Sequence, residues 1–107
     1  MDIEQAIHKA TLLLDLKNDV SSAETLLREA VAEARLQEDV IGQARAGLFL
    51  GELLLELKRS DEALPFLRTV AQLESTTTAH RDVLNHEIAR AKTLLDSIGS
   101  ELGSTLT

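Results

Sequence analysis

The 107-residue chain has no cysteine, tryptophan or tyrosine, and it contains only one proline and five glycines. The absence of cysteine excludes disulfide bonds, thiolate metal sites and cysteine nucleophiles. Proline and glycine are too scarce to supply the turns between the many short strands of an all-β domain. Since no apolar run approaches the roughly 18 residues that span a bilayer, we expect no membrane insertion.

Positive charge is also scarce, because 18 acidic residues face 11 basic ones and the formal net charge is −7 at pH 7. Most of this excess lies in residues 1–56, which hold 11 acids and 5 bases. Such a surface repels a phosphate backbone, so we expect no nucleic-acid binding. The N-terminus, Met1-Asp2-Ile3-Glu4, lacks the basic region of a secretory signal, and a cytoplasmic location is therefore expected.

Leucine is plentiful, and it recurs in a repeated block. The sequence Leu-Leu-Leu-Asp-Leu-Lys at 12–17 returns as Leu-Leu-Leu-Glu-Leu-Lys at 53–58. A second apolar pattern follows each copy, beginning at Ala23 and again at Ala63. A fixed period of about 20 to 50 residues indicates a repeat protein, in which each unit buries its apolar face on the next.

Apolar periodicity predicts five helices, at about 3–17, 22–37, 40–58, 61–74 and 79–98. Asp2 with Gln5, and Ser21 with Glu24, resemble the paired residues of a capping box. Gly47 and Gly51 lie inside the third helix, where glycine is less favourable than alanine. Close contact between helices is the simplest explanation for them.

The start and end of the later helices are predicted from polar residues and glycine. Ser60 and Thr78 are predicted to cap the fourth and fifth helices. Gly99 is predicted to end the fifth helix, so that residues 99–107 form a flexible tail after a domain of residues 1–98.

The fifth helix resembles the start of a third repeat, because Ile88 and Leu95 correspond to Leu48 and Leu55. Together with Leu50-Gly51 and Asp61-Glu62-Ala63, this pattern resembles a tetratricopeptide repeat with a longer period of about 40 residues. The resemblance implies an all-α fold of antiparallel helix hairpins, with two repeats and a closing fifth helix. Such hairpins stack into a short right-handed α-solenoid.

In this family the first helix of each repeat lines a concave groove that binds other proteins. Transferring the family's contact positions gives a candidate partner-binding groove on the first, third and fifth helices. Its residues are Glu4, Ile7, Thr11, Leu14, Asp15, Arg45, Leu48, Glu52, Leu55, Glu56, Asn85, Ile88, Lys92, Leu95 and Asp96.

The groove positions contain two kinds of row. Aliphatic residues recur in all three helices, and acids recur at Asp15, Glu56 and Asp96. An apolar bed edged by carboxylates suits a basic amphipathic helix or peptide, so the resemblance implies a non-enzymatic adaptor or scaffold. Core packing is the alternative for the aliphatic row, and a solvated face is the alternative for the acidic one.

Two other functions fit parts of the sequence. Helices that are apolar on several faces favour a homodimer, which would make the chain a structural or regulatory domain. His8 beside Lys9 is compatible with a histidine phosphotransfer bundle, but that function does not explain the internal repeat. His86-Glu87 begins like a zinc-protease motif, but Arg90 occupies the place of the second histidine. His80 is not one turn from His86 either, so we expect no metal, cofactor or catalytic residue.

Overall fold

Five helices follow one another along the part of the chain that the structure describes. They are α1 Ile3–Lys17, α2 Val20–Leu36, α3 Val40–Glu56, α4 Ser60–Thr76 and α5 Asn85–Leu106. This computed structural model describes residues 1–76 and 82–106, with side chains over 1–73 and 82–99. No strand occurs in those ranges, and the all-α prediction is confirmed.

The first four helices are joined by short turns that recur every twenty residues. Each turn contains one residue with positive φ, at Asn18 (51°), Glu38 (55°) and Lys58 (64°). The amide that follows donates back to the preceding helix, as from Asp39 to Ala34 O and from Arg59 to Leu54 O, both at 2.8 Å. These bonds satisfy carbonyls at the helix ends and hold the left-handed residues in place.

Three aspartates cap the first three helices. Asp2, Asp19 and Asp39 accept hydrogen bonds from the amides three residues later, at 3.2, 3.1 and 2.9 Å respectively. The prediction that Ser21 caps the second helix is wrong, because α2 already begins at Val20 and Asp19 occupies the cap. Hydrogen bonds from Ser22 hold the pKa of Asp19 below its usual value.

Each helix packs mainly on its neighbours in sequence, and α3 also contacts both α1 and α5. Among the described residues the largest fully buried side chains are Leu27, Leu50, Leu54, Leu67, Leu84 and Val70. Gly51 lies so close to α4 that a Cβ would stand 2.7 Å from Leu67 Cδ2. The close helix contact predicted for Gly51 is therefore present between α3 and α4.

The fifth helix differs from its prediction at both ends. Residues 82–84 form a turn, and α5 begins at Asn85 rather than near residue 79. It continues through Gly99 to Leu106, because Gly99 keeps an ordinary helical conformation without the positive φ of a terminating glycine. Thr78, the predicted cap, lies outside the described residues.

No helix in the described ranges has the length and apolar character needed to cross a bilayer.

Candidate functional site

The surface formed by α1, α3 and α5, which we call the three-helix face, contains two adjoining depressions. The first has a volume of about 230 Å³ and is lined by Glu4, Ile7, Arg45, Leu48, Phe49, Glu52, His86 and Glu87. The second has a volume of about 390 Å³ and is lined by Leu14, Asp15, Asn18, Val20, Phe49, Glu52, Leu53, Glu56 and Leu57. Phe49 and Glu52 belong to both, so the depressions form one continuous surface.

Ion pairs cross the first depression and connect its three helices. Arg45 on α3 donates to Glu4 on α1 at 2.8 Å, and its Nε lies 3.9 Å from Glu87 on α5. The hydrogen bond to Glu4 raises the pKa of Arg45. A second pair joins α3 to α5, where Arg90 Nε lies 3.0 Å from Glu52 Oε1. These contacts link α1, α3 and α5 across the face.

Acidic groups outnumber basic ones in the first depression. Glu87 is only 15% exposed, and its Oε2 is buried with no hydrogen-bond partner among the described residues. Arg45 therefore pairs with two carboxylates. Its contact with Glu4 is a close one, at 2.8 Å, whereas its contact with Glu87, at 3.9 Å, is too long for a hydrogen bond. A buried carboxylate that lacks a full set of partners favours the approach of a further positive charge.

The second depression is acidic without any base in its lining. Asp15 and Glu56 are exposed at its edge, and Glu52 stands between it and the first depression. Leu14 and Phe49 are half-buried there and present apolar surface beside these carboxylates. This combination can hold an apolar side chain while attracting a cation to the rim.

The structure brings about half of the predicted groove residues into the two depressions. Those that line them are Glu4, Ile7, Leu14, Asp15, Arg45, Leu48, Glu52 and Glu56. Those that line neither are Thr11, Leu55, Asn85, Ile88, Lys92, Leu95 and Asp96. Ile88 belongs to the buried core, and Leu48 is almost fully buried at the floor, so part of the aliphatic row serves packing.

The fifth helix presents a different side to this surface from the one that the repeat alignment predicts. His86 and Glu87 reach the first depression, whereas Asn85 and Lys92 do not line it. The cause lies in the apolar stripe of α5, since Ile88, Ala91 and Ile98 are buried, as is Leu84 just before the helix. Burying that stripe turns the polar side of the helix toward the three-helix face.

The corresponding positions of α3 and α5 show how the helices differ. Leu50 and Leu53 are buried in α3, but the residues that align with them in α5 are Arg90 and Thr93, both exposed. A helix with charged or polar residues at those positions cannot bury them as α3 does. α5 therefore packs on its neighbours through a single buried stripe.

Sequence reasoning missed three residues of the first depression, namely Phe49, His86 and Glu87. It also missed four residues of the second depression, which are Asn18, Val20, Leu53 and Leu57. Phe49 had a signal, because it is one of two aromatic residues in the chain and lies one helical turn before Leu53. His86 and Glu87 had none in the repeat alignment, since the residues that align with them in α3, Ala46 and Gly47, are buried.

A second charged cluster lies away from the three-helix face, between α2 and the start of α4. Arg59 binds Glu24 through Nη1 at 2.5 Å and Glu62 through Nε at 2.5 Å, and Arg28 pairs with the same two glutamates. Arg59 lowers the pKa of both Glu24 and Glu62. Glu24, predicted to complete a capping box, instead anchors the turn before α4.

The described residues contain no group of three or more His, Asp or Glu side chains that could hold a metal ion. The candidate site is the three-helix face, an apolar surface edged by carboxylates. Comparison of the chain with protein-family models, with curated proteins and with solved structures finds no significant match.

Proposed function

We propose that this chain is a non-enzymatic protein-interaction module that binds a basic amphipathic helix or peptide on its three-helix face. In this proposal the hairpins stack as in a tetratricopeptide-like solenoid, and the module acts as an adaptor or scaffold. A cytoplasmic location, favoured by the cysteine-free composition, belongs to the same proposal.

The observation that carries the proposal is the composition of the two depressions. Their linings contain five carboxylates, those of Glu4, Asp15, Glu52, Glu56 and Glu87, and one arginine, Arg45. Apolar side chains, including Phe49 and Leu14, lie between the charges. Apolar anchors give affinity to such a surface, and rim carboxylates select a partner with Lys or Arg beside its own anchors.

The solenoid arrangement is supported by the regular turns and the order of packing. Left-handed residues recur at Asn18, Glu38 and Lys58, and the helices that follow begin at Val20, Val40 and Ser60. Short connections of this kind place consecutive helices as antiparallel neighbours. Contacts of α3 with both α1 and α5 agree with a layer of first helices along one side.

Two synthetic helical peptides with the same leucine stripe, one flanked by lysines and one by glutamates, test the proposal. We expect the lysine peptide to bind the protein more tightly in fluorescence anisotropy. The triple variant Asp15→Asn, Glu52→Gln, Glu56→Gln should weaken this binding by about tenfold, since each exposed charge contributes a fraction of a kcal/mol.

The matched control removes the same number of charges elsewhere, with Glu38→Gln, Asp61→Asn and Asp82→Asn, all exposed residues outside the two depressions. It should retain the affinity of the unmodified protein. Equal losses in both triple variants would mean that net charge alone attracts the peptide. Lysine-peptide binding that is the same for the unmodified protein and for the three-helix-face variant would reject the proposed function.

A further inference from the structure

The two copies of the leucine block have different surroundings. In the second copy Leu53 is 5% exposed and Leu57 is half-buried. The corresponding residues of the first copy are Leu12, which is 41% exposed, and Leu16, which is 77% exposed. Exposed leucines one helical turn apart form an apolar strip on α1.

The structure shows what covers this strip in the second copy. Leu53 and Leu57 line the second depression with Leu14 and Val20, which belong to the end of α1 and the start of α2. α3 also packs on α2. A helical element thus lies against the leucine strip of the second copy, and the strip of the first copy offers the same kind of surface.

The exposed strip belongs to a larger surface, which we call the outer face of the first hairpin. It consists of two depressions of about 250 and 450 Å³ that share Lys9 and Leu13. Their lining residues are Lys9, Leu12, Leu13, Leu16, Lys17, Ser21, Ser22, Thr25, Leu26 and Glu29.

Charge on the outer face is opposite to that of the three-helix face. Two lysines, Lys9 and Lys17, stand beside the leucine strip, and Glu29 is the one acid in the lining. Lys9 occupies the position of the fully buried Leu50 in the second copy. The chain as a whole has a net charge of −7, so this local excess of positive charge indicates that the occupant of the outer face is acidic.

We propose that the outer face of the first hairpin docks an acidic amphipathic helix of a partner protein. Apolar residues of that helix pack on Leu12 and Leu16, and its carboxylates pair with Lys9 and Lys17. The two lysines are eight residues apart on α1, a rise of about 12 Å, so acids about two turns apart match them. A second copy of this chain fits less well, because a two-fold interface brings the same lysine-edged patch against itself.

The glutamate-flanked leucine peptide tests this proposal when its acids are placed eight residues apart. We expect it to bind the unmodified protein, and we expect Leu12→Gln with Leu16→Gln to weaken that binding at least about tenfold. Reversal of both lysines, with Lys9→Glu and Lys17→Glu, should transfer the preference to the lysine-flanked peptide at this face. All four residues are exposed, so circular dichroism should show an unchanged helical spectrum.

The control is the triple variant Asp15→Asn, Glu52→Gln, Glu56→Gln, which alters the three-helix face and should leave glutamate-peptide binding unchanged. This control separates the outer face from the proposed function, which can fail independently. Retained binding by the double glutamine variant would overturn the proposal. So would a dimer of the unmodified protein in light scattering that the same variant abolishes, because that result would assign the outer face to a second copy.

Discussion

The same leucine block occurs twice in this chain and meets two environments. In α3 its leucines lie between the first hairpin and α4, whereas in α1 Leu12 and Leu16 face outward. The local sequence is almost identical, but the first copy is helical throughout, whereas Leu57 and Lys58 of the second copy fall in the turn after α3. Burial differs because α3 packs on both α2 and α4, whereas α1 packs mainly on α2. The neighbouring helices therefore determine how much each copy of the repeated sequence contributes to stability.

The largest expected effect comes from shortening the same leucine in each copy. Leu53→Ala should lower the free energy of unfolding by about 2–4 kcal/mol, because it leaves a cavity among buried side chains. Leu12→Ala, at the corresponding exposed position, should lower it by less than about 1 kcal/mol. Urea unfolding of both variants gives the comparison directly, and equal losses would show that the two copies are equally buried.

A smaller loss of stability is expected when Gly51 in the second copy is replaced by alanine, the residue that the first copy has at that position. Gly51 aligns with Ala10, and a Cβ at Gly51 would stand 2.7 Å from Leu67 Cδ2 and 2.9 Å from its Cγ. Since Leu67 is fully buried, Gly51→Ala should cost about 1 kcal/mol net, despite the better helix propensity of alanine.

Gly47→Ala is the matched control in the same helix. The nearest atom to a Cβ there is Val70 Cγ2 at 3.5 Å, an ordinary van der Waals contact. This substitution should raise the free energy of unfolding by about 0.5–1 kcal/mol, because alanine restricts the unfolded chain and favours the helix. Thermal unfolding that moves both variants in the same direction would contradict the close contact at Gly51.

The smallest effect is expected at the third of the repeated turns. Arg59 stands where the earlier turns have Asp19 and Asp39, and it pairs with Glu24 and Glu62 instead of capping a helix. These pairs hold the pKa of both glutamates below the ordinary value of 4.5. Their contribution to stability is present above about pH 4.5 and is lost as the pH falls through the lowered values.

Arg59→Gln should remove most of this dependence on acid pH and should lower stability at pH 7 by less than either core substitution. Arg68→Gln, at an exposed arginine on α4, serves as the control and should keep the original pH profile. Urea unfolding between pH 3 and 7 makes the comparison. A pH profile of the Arg59 variant that matches the unmodified protein would show that the cluster contributes nothing to stability.

Much of the fold can be predicted from local sequence. The bounds of α1 agree with the prediction, and the starts of α3 and α4 lie within one residue of it, because aspartate caps and apolar periodicity are local signals. Asp19 was missed as a cap because Ser21 and Glu24 form an equally good local pattern. Glu24 pairs with Arg59, 35 residues away, and no local signal reports such a contact.

The candidate site could be predicted only in part. Residues of α1 and α3 were placed well, as Glu4, Asp15 and Glu52 show, because these helices follow the repeat pattern closely. The contribution of α5 was misplaced, because His86 and Glu87 line the first depression in place of the predicted residues of that helix. The polar residues Arg90 and Thr93, at positions where α3 has buried leucines, are the signal that could have shown it.

An NMR titration of the isotope-labelled protein with the lysine-flanked peptide tests the central proposal most directly. The proposed function predicts that backbone amide shifts concentrate at Leu14, Phe49 and Glu52 on the three-helix face, and that Leu12 and Leu16 stay unchanged. Shifts concentrated at Leu12 and Leu16, or no shifts at saturating peptide, would contradict it.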